Sequence, residues 1–328
     1  MISRLQTASE SLQLGRVVLH LPAAIADEGP EASKRFFEFF TANIRNKNTR
    51  EAYGRAVRDF FAWCDRHDIG PLVEIEAIHV AAYIELMTDT HAPQTVKQRL
   101  AAIKAMFDYL VIGGIPSGNP ASAVRGPKHS QLKGKTPVLM ADDARDLIRS
   151  IDTSTKVGLR DLAIIGVMTY GFARVSAALS MDVIDVFMQR RRLWIRLTEK
   201  GGKYHEMPCH HNLEVYLQEY IDAAGLADSD PIFQSFRGKS GRLTGSRLNR
   251  QNCFHMIKRR AQSAGTDLPK GICNHTFRGT GITAYLSNPD ARLERAQQMA
   301  AHSDPKTTRM YDRRSDELSL DEVEKIGI

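Results

Sequence analysis

The sequence predicts a mainly α chain in two parts, an all-α domain followed by an α+β domain with a small antiparallel sheet. Three observations carry this expectation. Apolar residues recur at spacings of three and four from Glu31 to about Gly113. A stretch dense in proline and glycine, residues 114–137, interrupts that pattern. Beyond it, short alternating segments stand among helical ones. The 328 residues are long for one domain and comfortable for two. With 42% hydrophobic and 25% charged residues, disorder and collagen-like repeats are excluded. No uninterrupted apolar run approaches the ~20 residues of a membrane span. Residues 1–21 do not read as a signal peptide, so the expected compartment is the cytoplasm.

Residues 1–30 read as a flexible leader, with Pro22, Gly29 and Pro30 and no sustained period. The helical domain spans 31–115. Asn48 is placed to cap a helix in which Tyr53, Val57, Phe60, Phe61 and Cys64 face one way. Ile78 to Met87 reads as a shorter helix. A long one starts near Pro93, a proline suited to the first helical position, and buries Val96, Leu100, Ile103, Phe107 and Leu110. Gly113 and Gly114 end it. Residues 116–137 then form a linker.

The second domain spans 138–315. Asp142–Ile151 and Leu159–Tyr170 read as helices. Val183–Phe187, Leu193–Thr198 and Lys203–Pro208 read as strands, the middle one alternating Leu193/Ile195/Leu197 against Trp194/Arg196/Thr198. Gly201-Gly202 supplies a hairpin turn, and helices return from Leu213 onward. Residues 316–328 form a tail in which Ser319 and Glu322 have capping-box spacing.

Charge is uneven along the chain. Residues 1–130 hold 15 basic and 14 acidic side chains, whereas residues 131–311 hold 27 and 18, a net of +9. A polyanion is the natural partner for the second stretch. Four scattered cysteines without a CxxC pair read as reduced core thiols, not as disulfides or zinc ligands. His205, Cys209, His210 and His211 could be read as metal ligands, and Pro208 with His210 on the opposite face argues against it. No metal and no cofactor is expected, and no GxxxxGK[ST] loop occurs.

Four separate pieces of the second domain carry chemistry. Arg174 stands at a turn into a new helix, in Gly171-Phe172-Ala173-Arg174. Lys200 sits at the Gly-Gly hairpin. His275 and Arg278 lie three apart, on one helix face. His302 precedes Asp304-Pro305, a cap and first helical residue, and Tyr311 follows nearly two turns later. In isolation each has a commoner structural reading: an ion pair at a helix start, a solvent-facing lysine, a half-buried tyrosine. Their joint occurrence in this order is what makes those readings improbable.

The order Arg, Lys, His-x-x-Arg, His and Tyr resembles the tyrosine recombinase (phage integrase) family, over about residues 31–315. Asn119-Pro120-Ala121 is similar to that family's exit from its helical core-binding domain. The resemblance implies the tyrosine recombinase/integrase catalytic fold, in a compact two-domain type clamping a duplex. It implies a site-specific DNA recombinase acting through a 3′-phosphotyrosyl intermediate and a Holliday junction, in integration, excision or resolution. Tyr311 would be the nucleophile, with Arg174 and Arg278 facing the phosphate. Lys200 would be the general acid, with Lys203 as the alternative, and His275 and His302 would hold protons or the phosphate. Guanidiniums suit this place because they offer forked donors and stay charged. The implied partners are a double-stranded DNA site, a homotetramer on paired sites with the tail exchanged between protomers, and accessory DNA-binding proteins. The alternatives are relaxation of the type IB topoisomerase kind and a non-cleaving DNA-binding protein of the same fold.

The sequence departs from the family pattern at three positions. Ala177 stands where a carboxylate commonly orients the arginine, so Asp182 or a backbone carbonyl is expected to support the site instead. Gly279 follows Arg278 where histidine is frequent, and Ala301 replaces the usual glycine before His302.

Overall fold

The computed structural model describes residues 11–128, 134, 136–199, 202–238, 240–265, 268–312 and 325. It divides into two compact units, residues 1–130 and 131–328. Among the described residues no helix is long and apolar enough to cross a membrane. The C-terminal tail, apart from Lys325, lies outside the described residues, and so does Lys200.

The first unit opens with structure where a flexible leader is expected. Strands β1 (Ser11–Leu14) and β2 (Val17–His20) form an antiparallel hairpin, followed by a one-turn helix α1 (Ala23–Ala26). Leu14, Val17 and Leu19 are buried, which explains why the segment is ordered: its apolar residues have a helix to cover. Helix α2 (Pro30–Glu38) runs into a wider turn at Phe39–Asn43, and α3 (Lys47–Arg66) follows. Asn46, not Asn48, caps α3, its side chain accepting from the backbone N–H groups of Asn48 and Thr49 at 3.0 and 3.1 Å. Gly54 on α3 leaves room for the hairpin, since a Cβ there would meet Leu14 at 2.6 Å.

Helices α4 (Ala77–Thr90) and α5 (Pro93–Ile112) complete the bundle, with Pro93 opening α5 as its place at a first helical position requires. The core is aromatic: Phe36, Phe39, Phe40, Phe60 and Phe107 have no exposed surface, and the Phe60 ring meets Tyr83 and Phe107 edge-on. Ala121 and Val124, expected in the linker, are instead buried in this core. The Asn119 side chain fixes that turn through the Ala121 N–H at 2.8 Å and the Lys104 carbonyl at 3.0 Å.

The second unit is built around a helix buried on nearly every side. Helices α6 (Ala141–Arg149) and α7 (Lys156–Tyr170) come first, and every residue of α7 from Leu162 to Met168 is buried. A helix apolar all round belongs inside a domain. After α8 (Val175–Ser180) come β3 (Val186–Gln189), β4 (Arg192–Glu199) and β5 (Lys203–Pro208), a three-stranded antiparallel sheet in that order. The first strand begins three residues later than expected, because Val183–Asp185 forms a 3₁₀ turn. The β3–β4 turn is Arg190-Arg191, both at positive φ (47° and 64°), a backbone that two-residue hairpins demand.

Helix α9 (His211–Ala224) packs along α7. The chain then makes a second hairpin, β6 (Gln234–Phe236) and β7 (Leu243–Arg247), where only helices are expected. Helices α10 (Arg250–Ser263), α11 (Asn274–Leu286), α12 (Leu293–Met299) and α13 (Pro305–Arg309) follow. Helix α11 crosses α7 so closely that a Cβ on Gly281 would stand 1.9 Å from the Thr169 carbonyl oxygen. Only glycine fits that crossing. Buried Asp161 accepts from Arg160 at 2.7 Å and from Arg260 at 2.8 Å, tying α7 to α10.

Candidate active site

One face of α11 organises the site. His275, Gly279 and Thr283 are spaced by four, so they form a single stripe along the helix. Tyr311, just beyond α13, lies against all three. Its hydroxyl is 3.0 Å from His275 Nε2, its ring passes over Gly279, and its carbonyl accepts from the Thr283 hydroxyl at 3.2 Å. The ring packs with Phe172, Ile282, Leu286, Ala296 and Ala300. Gly279 now has a physical reason: a Cβ there would stand 3.3 Å from the Tyr311 ring and 3.3 Å from Val138. A side chain at that position would require Tyr311 or Val138 to give by a few tenths of an ångström.

Asp304 and Pro305 start α13 as the sequence indicates, the Asp304 carboxylate accepting from the Lys306 N–H at 2.9 Å. The cap turns the chain so that His302 and Tyr311 stack, ring centroids 6.0 Å apart and 8° from parallel. His302 Nδ1 lies 2.9 Å from the hydroxyl of fully buried Thr308. Ala301 is at φ +47°, a left-handed residue that costs about 1 kcal/mol with a side chain and that glycine adopts freely.

Arg278 has no exposed surface. Its guanidinium donates to the Phe172 carbonyl and, at 2.5 Å, to the Ala300 carbonyl, which fixes it between the α7–α8 turn and the end of α12. Arg174 stands at the N-terminal boundary of α8 and keeps 27% of its side chain exposed, so it is the guanidinium that opens to solvent. Between the two sits Glu199, the last residue of β4, with a side chain 2% exposed. Its carboxylate accepts from the Arg174 guanidinium, from the Arg174 N–H at 3.2 Å, and pairs with Arg278 at 3.5 Å.

Glu199 escaped the sequence reading, and Asp182 is not the support expected for Ala177's missing carboxylate. Asp182 instead pairs with Arg247 at 2.6 Å. Backbone carbonyls do take part, but they hold Arg278, not Arg174. A signal for Glu199 exists in the alternation Leu193/Ile195/Leu197, which continues to position 199 and puts a carboxylate on the buried face of β4.

The arrangement sets the protonation states. Burial, with the Arg278 and Arg174 charges adding to it, pushes His302 down to about 3. His275 keeps exposed surface, yet protein crowds its Tyr311 side. That partial burial, then Arg278, Arg174 and Arg250, hold its pKa below the usual histidine range. Both rings are therefore neutral near pH 7. Burial raises Tyr311, and the two arginines pull the other way. Burial and the Arg174 charge lower Arg278 to about 10, with Glu199 opposing the change, so Arg278 stays charged near neutrality.

His302 gives a stability prediction. The unfolded chain protonates it near 6.5, and the fold refuses that proton until about pH 3. Stability is therefore lost as pH falls through that window, by up to about 1.4 kcal/mol per pH unit from this residue. In His302→Asn the term is absent. The wild type's lead in melting temperature over this variant is expected to shrink steadily from pH 6.5 to pH 4. A lead that stays constant would mean that His302 titrates normally in the fold.

Lys203, on β5, donates to the Ser303 hydroxyl at 2.9 Å and lines a cavity with Glu294, Gln297, Gln298, Ala301 and His302. It thus joins the site, whereas Lys200 lies outside the described residues. Two of the four residues weighed as metal ligands are accounted for in the fold. His210 caps α9 through the Asn212 N–H at 3.2 Å and stacks on Tyr170, and burial raises the Cys209 thiol to about 12. Among the described residues no group of three or more His, Cys, Asp or Glu is placed to hold a metal ion.

Comparison with known proteins bears on the family and the fold. Residues 137–317 match the phage integrase family, and residues 33–112 match the family's N-terminal SAM-like domain. The tyrosine recombinase XerD of Listeria innocua is 27% identical over 274 residues, covering 80% of this chain and 87% of that protein. The tyrosine recombinase XerC of Myxococcus xanthus is 28% identical over 240 residues, covering 71% and 75%. In fold, the chain is similar to the XerH site-specific recombinase in a post-cleavage complex with its difH substrate (TM-score 0.68, 18% identity, 92% of this chain and 86% of that one). It is also similar to a lambda integrase tetramer bound to a Holliday junction (TM-score 0.66, 15% identity, 88% and 78%).

Proposed function

The chain belongs to the phage integrase family, and on that premise we propose that it is a site-specific recombinase whose nucleophile is Tyr311. The observation that carries the proposal is the 3.0 Å contact between the Tyr311 hydroxyl and a neutral His275, set beside two guanidiniums held by one carboxylate. A raised tyrosine needs a base at hand, and His275 is that base.

In the proposed reaction the Tyr311 proton passes to His275 Nε2 while Tyr311 Oη bonds to the scissile phosphorus. The bond from phosphorus to the 5′ oxygen breaks, and that oxygen takes a proton from a lysine, Lys200 or Lys203. The product is a 3′-phosphotyrosine and a free 5′-hydroxyl. A 5′-hydroxyl of another strand then reverses the steps, so the bond energy is kept and no nucleotide is consumed. Charge developing on the phosphate oxygens is met by Arg174 from the open side and by Arg278 from beneath. In the tautomer whose Nδ1 accepts from the Thr308 hydroxyl, the other ring nitrogen of His302 carries the proton and can donate to the phosphate.

The same reading assigns the basic second unit to the DNA backbone and, from the likeness to the lambda integrase tetramer on a junction, a tetramer to synapsis. Relaxation by a lone topoisomerase is less favoured, because the similar proteins are named as recombinases. The test is detergent capture: protein is mixed with fragmented host DNA, denatured, and the protein-linked DNA is sequenced. Recurrent cleavage at one short sequence supports the proposal. Covalent capture spread evenly over all sequence would indicate a relaxation enzyme, and binding without capture a protein that does not cut.

A further inference from the structure

We propose that Glu199 is the positioning residue of this site, the carboxylate that aims Arg174 and Arg278 at the scissile phosphate in place of one at position 177. The inference rests on the reading that Tyr311 cleaves DNA. Its basis is geometric. Glu199 is buried at the end of β4, and its two oxygens engage the Arg174 guanidinium, the Arg174 backbone N–H and the Arg278 guanidinium. That set fixes both where Arg174 begins and where its fork points. The position after one turn of α8, where a carboxylate would serve the same guanidinium, is Ala177, which is buried in the apolar core.

Charge explains why one carboxylate must be there. Two guanidiniums and two imidazoles converge on this space, and each arginine disfavours charge on its neighbours. A buried cation without a counterion is costly, so the buried Glu199 carboxylate offsets the charge of fully buried Arg278 while pairing with Arg174. The placement on β4 also connects the site to the sheet. Glu199 directly precedes the β4–β5 turn, whose Gly202 N–H donates to the Glu199 carbonyl at 3.1 Å. The hairpin bearing both candidate lysines is therefore joined to the same residue that sets the arginines.

The test uses the full-length protein and the DNA site recovered by detergent capture, built as a nicked duplex that traps the cleaved product. The scissile linkage is made either as the natural phosphodiester or as a neutral methylphosphonate, which relies less on cationic groups. Glu199→Gln is expected to slow single-turnover cleavage of the phosphodiester about 100-fold, with DNA affinity unchanged. On the methylphosphonate the same variant is expected to lose less than about 10-fold, because the mispositioned charges matter less there. Glu199→Asp, which keeps the charge with a shorter reach, is expected to show the same selectivity with a smaller loss. Its result stands if Gln at this buried position prevents folding. Equal losses on both linkages, or no loss on either, would overturn the proposal. Failure of the wild type to form any adduct would overturn the reading beneath it instead.

Discussion

Tyr311→Phe is expected to abolish the covalent protein–DNA adduct and every recombination product while leaving DNA binding intact. The loss should be at least about 10⁴-fold, since a nucleophile removed from a preorganised site leaves only residual catalysis. The variant is also expected to fold. The Tyr311 ring, packed among Phe172, Ile282 and Leu286, is retained, and only the hydroxyl contact to His275 disappears. That contact is worth about 1 kcal/mol. The measurement is a gel assay for protein-linked DNA beside a mobility-shift titration. Adduct formation by the variant would place the nucleophile elsewhere.

Arg174→Ala is the second large effect. Single-turnover cleavage is expected to fall by about 10²–10³-fold, the usual loss when one fixed donor is removed from a transition-state oxyanion. Arg174 is the better probe of this charge than Arg278. Arg278 is fully buried and bonded to the Phe172 and Ala300 carbonyls, so removing it strands buried polar groups and confuses catalysis with folding. Arg174 is partly exposed, and Glu199 keeps Arg278 as its partner when Arg174 is gone. Arg174→Lys is expected to recover little, because an ammonium cannot pair with Glu199 and present a second donor edge to a phosphate. Recovery of near-full activity by lysine would show that point charge alone suffices.

Much of this was legible because local chemistry and tertiary structure agree. Pro93 opens α5, Asp304 and Pro305 open α13, and Lys203–Pro208 is a strand with the bounds its pattern indicates. The sequence also placed His275 and Arg278 on one helix face and Asp304-Pro305 at a helix start between His302 and Tyr311, and the fold has both, while the chemical roles of these residues came from the family resemblance. The misses come from places where local signals are degenerate or the partner is distant. Asn46 and Asn48 are equally good caps, and only the path of the preceding turn selects Asn46. The β1–β2 hairpin is short, and its order comes from Leu14 and Val17 covering α3, which the segment itself does not reveal. The β6–β7 hairpin lies in a basic stretch that is mostly exposed, with little apolar alternation to announce it. Glu199 was hidden for a third reason. A carboxylate on the buried face of a strand makes sense only when two arginines from other elements are known to surround it.

The most direct measurement is to identify the residue that carries the DNA. Protein trapped on its captured site is digested with nuclease and trypsin, and the adducted peptide is sequenced by mass spectrometry. Cleavage after Arg309 and Arg313 releases the peptide of residues 310–313, and the account predicts that it carries the residual nucleotide on Tyr311 through a 3′-phosphate. A nucleotide on any other residue, or one joined through its 5′-phosphate, would contradict it.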